Sequence, residues 1–140
     1  LKQSTGGDIM FDFEKSISFE GDSGPYLQYS AVRANSILKK AEGVVKISEN
    51  IPEDWKTTNI ERLLERFESV IEKSGKEYAP HYIVTYLTEL AGEFNSFYAS
   101  HKIIDETETN SPYRLAVTKA FAEVMTKGLS LLAIKVPERM

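Results

Sequence analysis

Residues Gly24–Ala41 read GPYLQYSAVRANSILKKA, and the reading of this stretch decides the fold. Leu27, Ala31, Ala34, Leu38 and Ala41 recur at helical spacing and draw one apolar stripe. Pro25 suits a first helical position, where its missing N–H costs nothing. Asp22 and Ser23 stand just before it as caps, and Gly43 follows as a stop signal. The spacing therefore predicts a helix over 25–42. Ala31 and Ala34 are small, so a neighbouring helix can come close. Tyr29 and Arg33 fall nearly opposite the stripe, one turn apart. An aromatic ring and a cation together on the polar face are the first candidates for a binding site. The competing reading is a surface cation–π pair with no ligand.

Three further helices follow. Thr58-Asn59-Ile60-Glu61 fits a capping box, in which each side chain answers a free backbone N–H. Ile60, Leu63, Leu64, Phe67, Val70 and Ile71 then mark one face of a single helix that ends at Gly75. Before it, residues 43–56 form a connection with Trp55 as its apolar anchor. Pro80 opens the next helix, whose stripe is Ile83, Leu87, Leu90, Phe94 and Phe97 and which runs to about Ile104. Tyr98 borders that stripe, and its spacing alone assigns it to the core. Residues 105–110, DETETN, are a solvated loop. Ser111 and Pro112 then read as cap and first turn of the last helix. Its apolar residues occupy two faces: Leu115, Ala122, Met125 and Leu129 on one, Val117, Phe121, Val124 and Leu132 on the other. A helix apolar on two sides is sandwiched between neighbours. Gly128 marks a close contact or a kink. Upstream, Ile9, Phe11 and Phe13 alternate with Met10 and Asp12 among glycines, so residues 1–22 read as a loop, extended piece or short turn on the bundle. Strand signals are nearly absent. The expectation is an all-α bundle of four to five helices, one domain over 1–140, with an irregular lead-in at 1–22 and the bundle at 23–140.

Composition narrows the chemistry. The 140 residues suffice for one core, and 41% hydrophobic with 27% charged residues is ordinary for a soluble globular domain. With no cysteine, disulfides, thiolate metal sites and a Cys nucleophile are excluded. His81 and His101 are the two histidines, too few for a His-rich metal site. No apolar run approaches the roughly 20 residues of a membrane span. The start, LKQSTGGDIM, has no apolar signal core and no initial Met, and it reads as an internal piece of a longer chain. A net charge of −4 argues against holding nucleic acid by bulk charge, though not against a local basic patch.

Several stretches together resemble one family. GPYLQYSAVRANSILKKA is similar to the first helix of the C-terminal, DALR-type anticodon-binding domain of class I arginyl-tRNA synthetases. LTELAGEFNSFY resembles that family's Leu-Ala-x-x-Phe-Asn-x-Phe-Tyr run. YRLAVTKAFAEVMTKGLSLLAIKVPERM resembles its last helices and its Pro-Glu-Arg-Met end, and FDFEKSISFEGDSG the way the domain begins. The resemblance implies an RNA-binding site made of Tyr29, Arg33, Tyr98 and the terminal Met140. It implies the anticodon stem-loop of arginine tRNA as partner, together with a catalytic domain of the same parent chain. The parent would be an ATP-dependent ligase of the cytoplasm, using ATP and Mg. This chain has no His-Ile-Gly-His and no KMSKS-like loop, so by itself it is expected to be no enzyme, to bind no cofactor or metal, and to meet no membrane. The chemistry fits: splayed anticodon bases are read by stacking and by edge hydrogen bonds, which tyrosine and the planar arginine fork supply.

Two other classes compete with this one. A helical protein-interaction module would show an apolar groove and no salt-dependent RNA binding. A phosphotransfer bundle would need an exposed mid-helix histidine, whereas His81 sits at a helix start and His101 on a buried stripe. Lys39 and Lys40 read as a solvated helix end that suits the helix dipole. Arg139 is left between an ion pair and RNA.

Overall fold

In the computed structural model, which describes residues 10, 12–18 and 23–140, a short helix α1 (Phe13–Ile17) leads into α2 (Gly24–Ala41). Ser23 caps α2: its backbone is extended, and its hydroxyl oxygen accepts the Tyr26 N–H at 3.1 Å. The same hydroxyl donates to the Ser18 carbonyl, tying the lead-in to the helix start. Phe13 and Ile17 are exposed, so these two apolar residues do not join the core. The extended piece expected at Ile9 and Phe11, and the cap expected at Asp22, fall outside the described residues. The chain continues through α3 (Asn59–Glu65), α4 (Phe67–Lys76), α5 (His81–Ser100) and α6 (Ser111–Leu131), with no strand among the described residues. The all-α bundle expected from periodicity is the observed architecture.

The core follows the stripes. Leu27, Ala31, Ala34 and Ala41 of α2 are buried, and α2 packs most extensively on α6. Helix α5 lies centrally, touching α2, α3, α4 and α6. Its Ile83, Leu87, Leu90, Phe94 and Phe97 are all buried. Phe94 stacks on Phe121 of α6 with ring centroids 3.9 Å apart and planes 6° from parallel. One apolar face of α6 is fully buried, and the other is buried at Val117 and Phe121 and partly buried at Val124 and Leu132. Gly128 is a close contact and not a kink: a Cβ there would stand 2.7 Å from a Leu87 methyl.

Three boundaries differ from the sequence expectation, each for a tertiary reason. The helix expected over 58–75 is broken at Arg66 into α3 and α4. The Leu63 carbonyl, which a continuous helix offers to Phe67, accepts the Arg66 N–H at 3.0 Å and the buried Tyr86 hydroxyl at 2.9 Å. Burial pushes that hydroxyl up to about 12, so it remains a donor. Helix α5 stops at Ser100, not near Ile104: His101 turns extended, and Ile103 then enters the core. Ser111 is not the cap of α6; Asn110 holds that position. The Ser111 hydroxyl is fully buried, donates to the Ile103 carbonyl at 2.7 Å and accepts the Asp105 N–H at 2.9 Å. Buried loop backbone needs such partners more than a helix end at the surface does.

The two mid-helix glycines should respond oppositely to alanine. Gly92 is exposed with open space around its Cα, so Gly92→Ala should stabilise by about 0.5–1 kcal/mol. At Gly128 the new methyl would drive into fully buried Leu87, and the expected net effect is a loss of about 1–2 kcal/mol. Urea denaturation of both variants checks the pair of signs.

Candidate nucleic-acid interface

Helical geometry puts Tyr26, Tyr29 and Arg33 on one side of α2, since residues three, four and seven apart share a face. Asn95 and Tyr98 share a face of α5 in the same way. The two faces meet. Arg33 donates from Nη1 to Asn95 Oδ1 at 2.9 Å and from Nη2 to the Tyr29 hydroxyl at 3.1 Å. Its guanidinium carbon lies 4.8 Å from the Tyr29 ring centroid and 5.7 Å from that of Tyr98. Asn95 Nδ2 donates to the Tyr26 hydroxyl at 3.0 Å. The cation–π pair expected of a bare surface is thus present, but it is only part of the arrangement. Tyr98 is 46% exposed, not core as its spacing alone suggested.

Arg33 has five N–H donors, and two are engaged by Asn95 and Tyr29. Among the described residues, none of the ion pairs involves Arg33. This half-buried guanidinium is held between tyrosine rings with no carboxylate partner among the described residues, and three of its donors are left without a partner there.

Met140 is 48% exposed, and the contacts that join Tyr29, Arg33 and Tyr98 do not include it. The tail before it is anchored, however. Ile134 N–H reaches the Leu129 carbonyl at 2.9 Å, and Gln28 Nε2 donates to the Lys135 carbonyl at 2.7 Å. Gln28 adjoins Tyr29 in sequence, but consecutive helical residues do not share a face, so this bond ties the tail to α2 without placing it against the cluster. Asn95 and Tyr26 are the members of the arrangement that sequence reasoning did not single out. Asn95 stands inside the quoted Phe-Asn-x-Phe-Tyr run, and Tyr26 lies one turn before Tyr29.

A second polar cluster shows the opposite state. The Glu61 carboxylate accepts the Thr58 N–H and hydroxyl, both at 2.7 Å, the Tyr113 hydroxyl at 2.8 Å and the Trp55 indole N–H at 3.1 Å. The expected capping box is therefore formed and extended. Trp55 packs its ring on Tyr113, Phe97 and His101, which anchors the 43–56 connection and leaves His101 a packed histidine. Burial raises the Glu61 pKa, but the hydrogen bonds from Thr58, Tyr113 and Trp55 outweigh it and hold the group below its ordinary value. Burial, with help from the Glu61 charge, pushes the Tyr113 hydroxyl up to about 12. With its lone pairs occupied, this carboxylate is a structural knot. Among the described residues no cluster of His, Asp and Glu is arranged to hold a metal ion, and no helix is long and apolar enough to cross a membrane.

The fold is an all-helical bundle that carries a cation–aromatic cluster at its surface. The chain belongs to the DALR anticodon binding domain family, whose model matches residues 27–140. It is 40% identical to an arginine–tRNA ligase of Alkaliphilus metalliredigens, over 95% of this chain and 24% of that protein. It is 38% identical to the arginine–tRNA ligase of Thermococcus kodakarensis, over 100% of this chain and 23% of that one. The solved Thermus thermophilus arginyl-tRNA synthetase superposes with a TM-score of 0.81 at 31% identity, covering 100% of this chain and 25% of the other. The chain thus spans about a quarter of the length of the relatives it matches.

Glu61 gives a pH-dependent test of the structural knot. Its folded pKa lies below its ordinary value of 4.5, so its contribution is present above that pH and fades as pH falls through the folded pKa. Glu61→Gln points an NH₂ at surrounding donors and should cost about 1–3 kcal/mol at pH 7. Denaturant midpoints of both proteins, followed from pH 7 to pH 3, should converge at the acid end.

Proposed function

We propose that this chain binds the anticodon stem-loop of arginine tRNA, through Tyr29, Arg33 and Tyr98, as the anticodon-binding part of a longer arginine–tRNA ligase. The observation that carries the reading is the Arg33 guanidinium, ringed by tyrosines and paired with no carboxylate among the described residues. Exposed Tyr98 offers a face on which a splayed base can stack, worth roughly 1–3 kcal/mol. Arg33 supplies a planar donor fork to a phosphate or a base edge. Such a site depends on placement more than on bulk charge, and so it tolerates a net charge of −4.

The rest of the parent would carry the aminoacylation chemistry with ATP and Mg, in the cytoplasm where charged tRNA is consumed. In this reading residues 1–140 act as one domain that hands the acceptor end of the tRNA to that catalytic part. Met140 would complete the site. A thioether packs on a base face, and a terminal carboxylate accepts from an exocyclic amine, as acidic side chains do from cytosine. The Gln28 bond to the Lys135 carbonyl ties the residues before Met140 to the helix that carries Tyr29 and Arg33, which is compatible with this reading.

Arg33→Ala should weaken stem-loop binding by about 1–3 kcal/mol, leave the melting temperature near wild type, and flatten the salt dependence of binding. Fluorescence anisotropy over a salt series, with thermal melts alongside, measures both. Unchanged binding would remove Arg33 from the site.

Deleting Met140, or extending the chain beyond it, should reduce discrimination among anticodon bases more than it reduces stability, since Ile134 and Val136 still hold the tail on the core. The comparison is of cognate and base-substituted stem-loops on the three forms. Equal discrimination by all of them excludes the chain end as a base reader.

A further inference from the structure

Arginine side chains at a surface carry much rotamer entropy, and a binding site gains when that freedom is removed beforehand. In most proteins a carboxylate does this, but a carboxylate also cancels the charge. Here the partner is an amide. Asn95 accepts one Arg33 N–H at Oδ1, and its Nδ2 is committed to the Tyr26 hydroxyl. The amide therefore has one usable orientation. Flipped, it would present NH₂ to a guanidinium, donor against donor. The donor-only guanidinium thus fixes which end of the amide faces it, the Tyr26 hydroxyl holds the other end in place, and Asn95 sets one edge of the Arg33 plane. The Tyr29 hydroxyl holds the other nitrogen.

We propose that Asn95 is a positioning residue that orients Arg33 for RNA without neutralising it, and that Tyr26 acts through Asn95. This rests on the reading of Arg33 given above. The side chain at 95 must accept a hydrogen bond, donate one and carry no charge. Asparagine meets all three conditions, whereas aspartate meets only the first.

The test is a binding cycle with the arginine-tRNA anticodon stem-loop at one fixed salt concentration, using wild type, Arg33→Ala, Asn95→Ala, the double variant Arg33→Ala/Asn95→Ala, Tyr26→Phe and Asn95→Asp. Asn95→Ala should weaken binding about 3- to 10-fold, the scale of a lost orienting hydrogen bond. Arg33→Ala should weaken it more, and the double variant should bind no worse than Arg33→Ala alone. Tyr26→Phe should weaken binding in the wild-type background and do nothing once residue 95 is alanine. Asn95→Asp keeps the shape and the acceptor, so it should fold as wild type yet bind at least as poorly as Asn95→Ala. Losses from Arg33→Ala and Asn95→Ala that multiply in the double variant would overturn the proposal, because Asn95 would then act on RNA or on the fold by itself. Wild-type binding by Asn95→Ala beside weak binding by Arg33→Ala would overturn it too, while leaving the Arg33 site standing. If Asn95→Ala fails to fold, Asn95→Asp decides: wild-type binding by that variant ends the proposal. Arg33→Ala that binds as wild type removes the Arg33 site itself and this inference with it.

Discussion

The stack of Phe94 on Phe121 sets the rotation of α5, and most of what the molecule presents at its surface follows from that rotation. Both rings are fully buried, and replacing either by alanine would leave a cavity on the scale of 3–5 kcal/mol. Phe97, almost one turn on, must also face inward, where it meets Trp55 and His101. With Phe94 and Phe97 turned in, helical geometry turns Asn95 and Tyr98 toward the face that borders α2. The partners of Arg33 are therefore placed by the core. A residue such as Tyr98, which helical spacing would assign to the interior, is left exposed because the neighbouring phenylalanines fill that space.

The two polar clusters differ in how far they are saturated more than in the residue types that build them. Glu61 has donors for its lone pairs from a tryptophan, a tyrosine and a capping threonine. Nothing remains for a ligand, and the energy is spent on pinning the 43–56 connection to α3 and α6. Arg33 has a comparable aromatic setting, but its partners are neutral and they engage two donors of five. A buried charge without an opposite charge is costly, so its half-exposed position and the flanking rings are what make it tolerable.

Periodicity made the bundle legible, because α2, α5 and α6 each carry a long and regular stripe. The Thr58–Glu61 box and the Ser23 cap were legible too, since both are local chemistry. What failed were boundaries decided by residues far away in the chain. No local signal marks the break at Arg66, because it accompanies a hydrogen bond from Tyr86 to the Leu63 carbonyl. Ser111 is a cap by local preference, yet the buried carbonyl of Ile103 claims it. At the site, the α2 pair of Tyr29 and Arg33 stood out because an aromatic and a cation shared a polar face. Tyr98 and Met140 entered through resemblance alone. Asn95 and Tyr26 carry no pattern of their own; their meaning appears only when α2 and α5 are laid side by side.

The C-terminal tail poses an energetic question that its anchors largely answer. Terminal segments usually fray, and each residue ordered on binding costs about 1–2 kcal/mol of backbone entropy. If the whole stretch after α6 were loose, ordering it would cancel the gain from reading a base. Instead the helix ends on a left-handed residue, Ala133 at φ 59°, a conformation more often taken by glycine. That turn sends Ile134 back to the Leu129 carbonyl and brings Lys135 under Gln28, while Val136 packs against the core. Pro137 then has its φ fixed by its ring. Only Glu138, Arg139 and Met140 run on exposed. The ordering cost left to binding is therefore about 3–6 kcal/mol at most by the same per-residue figure, and less where the tail already favours one path. A stacked base and a charge-assisted hydrogen bond together are of that size, so the ordering cost is no obstacle to the role proposed for Met140, because the fold has already ordered the residues leading to it.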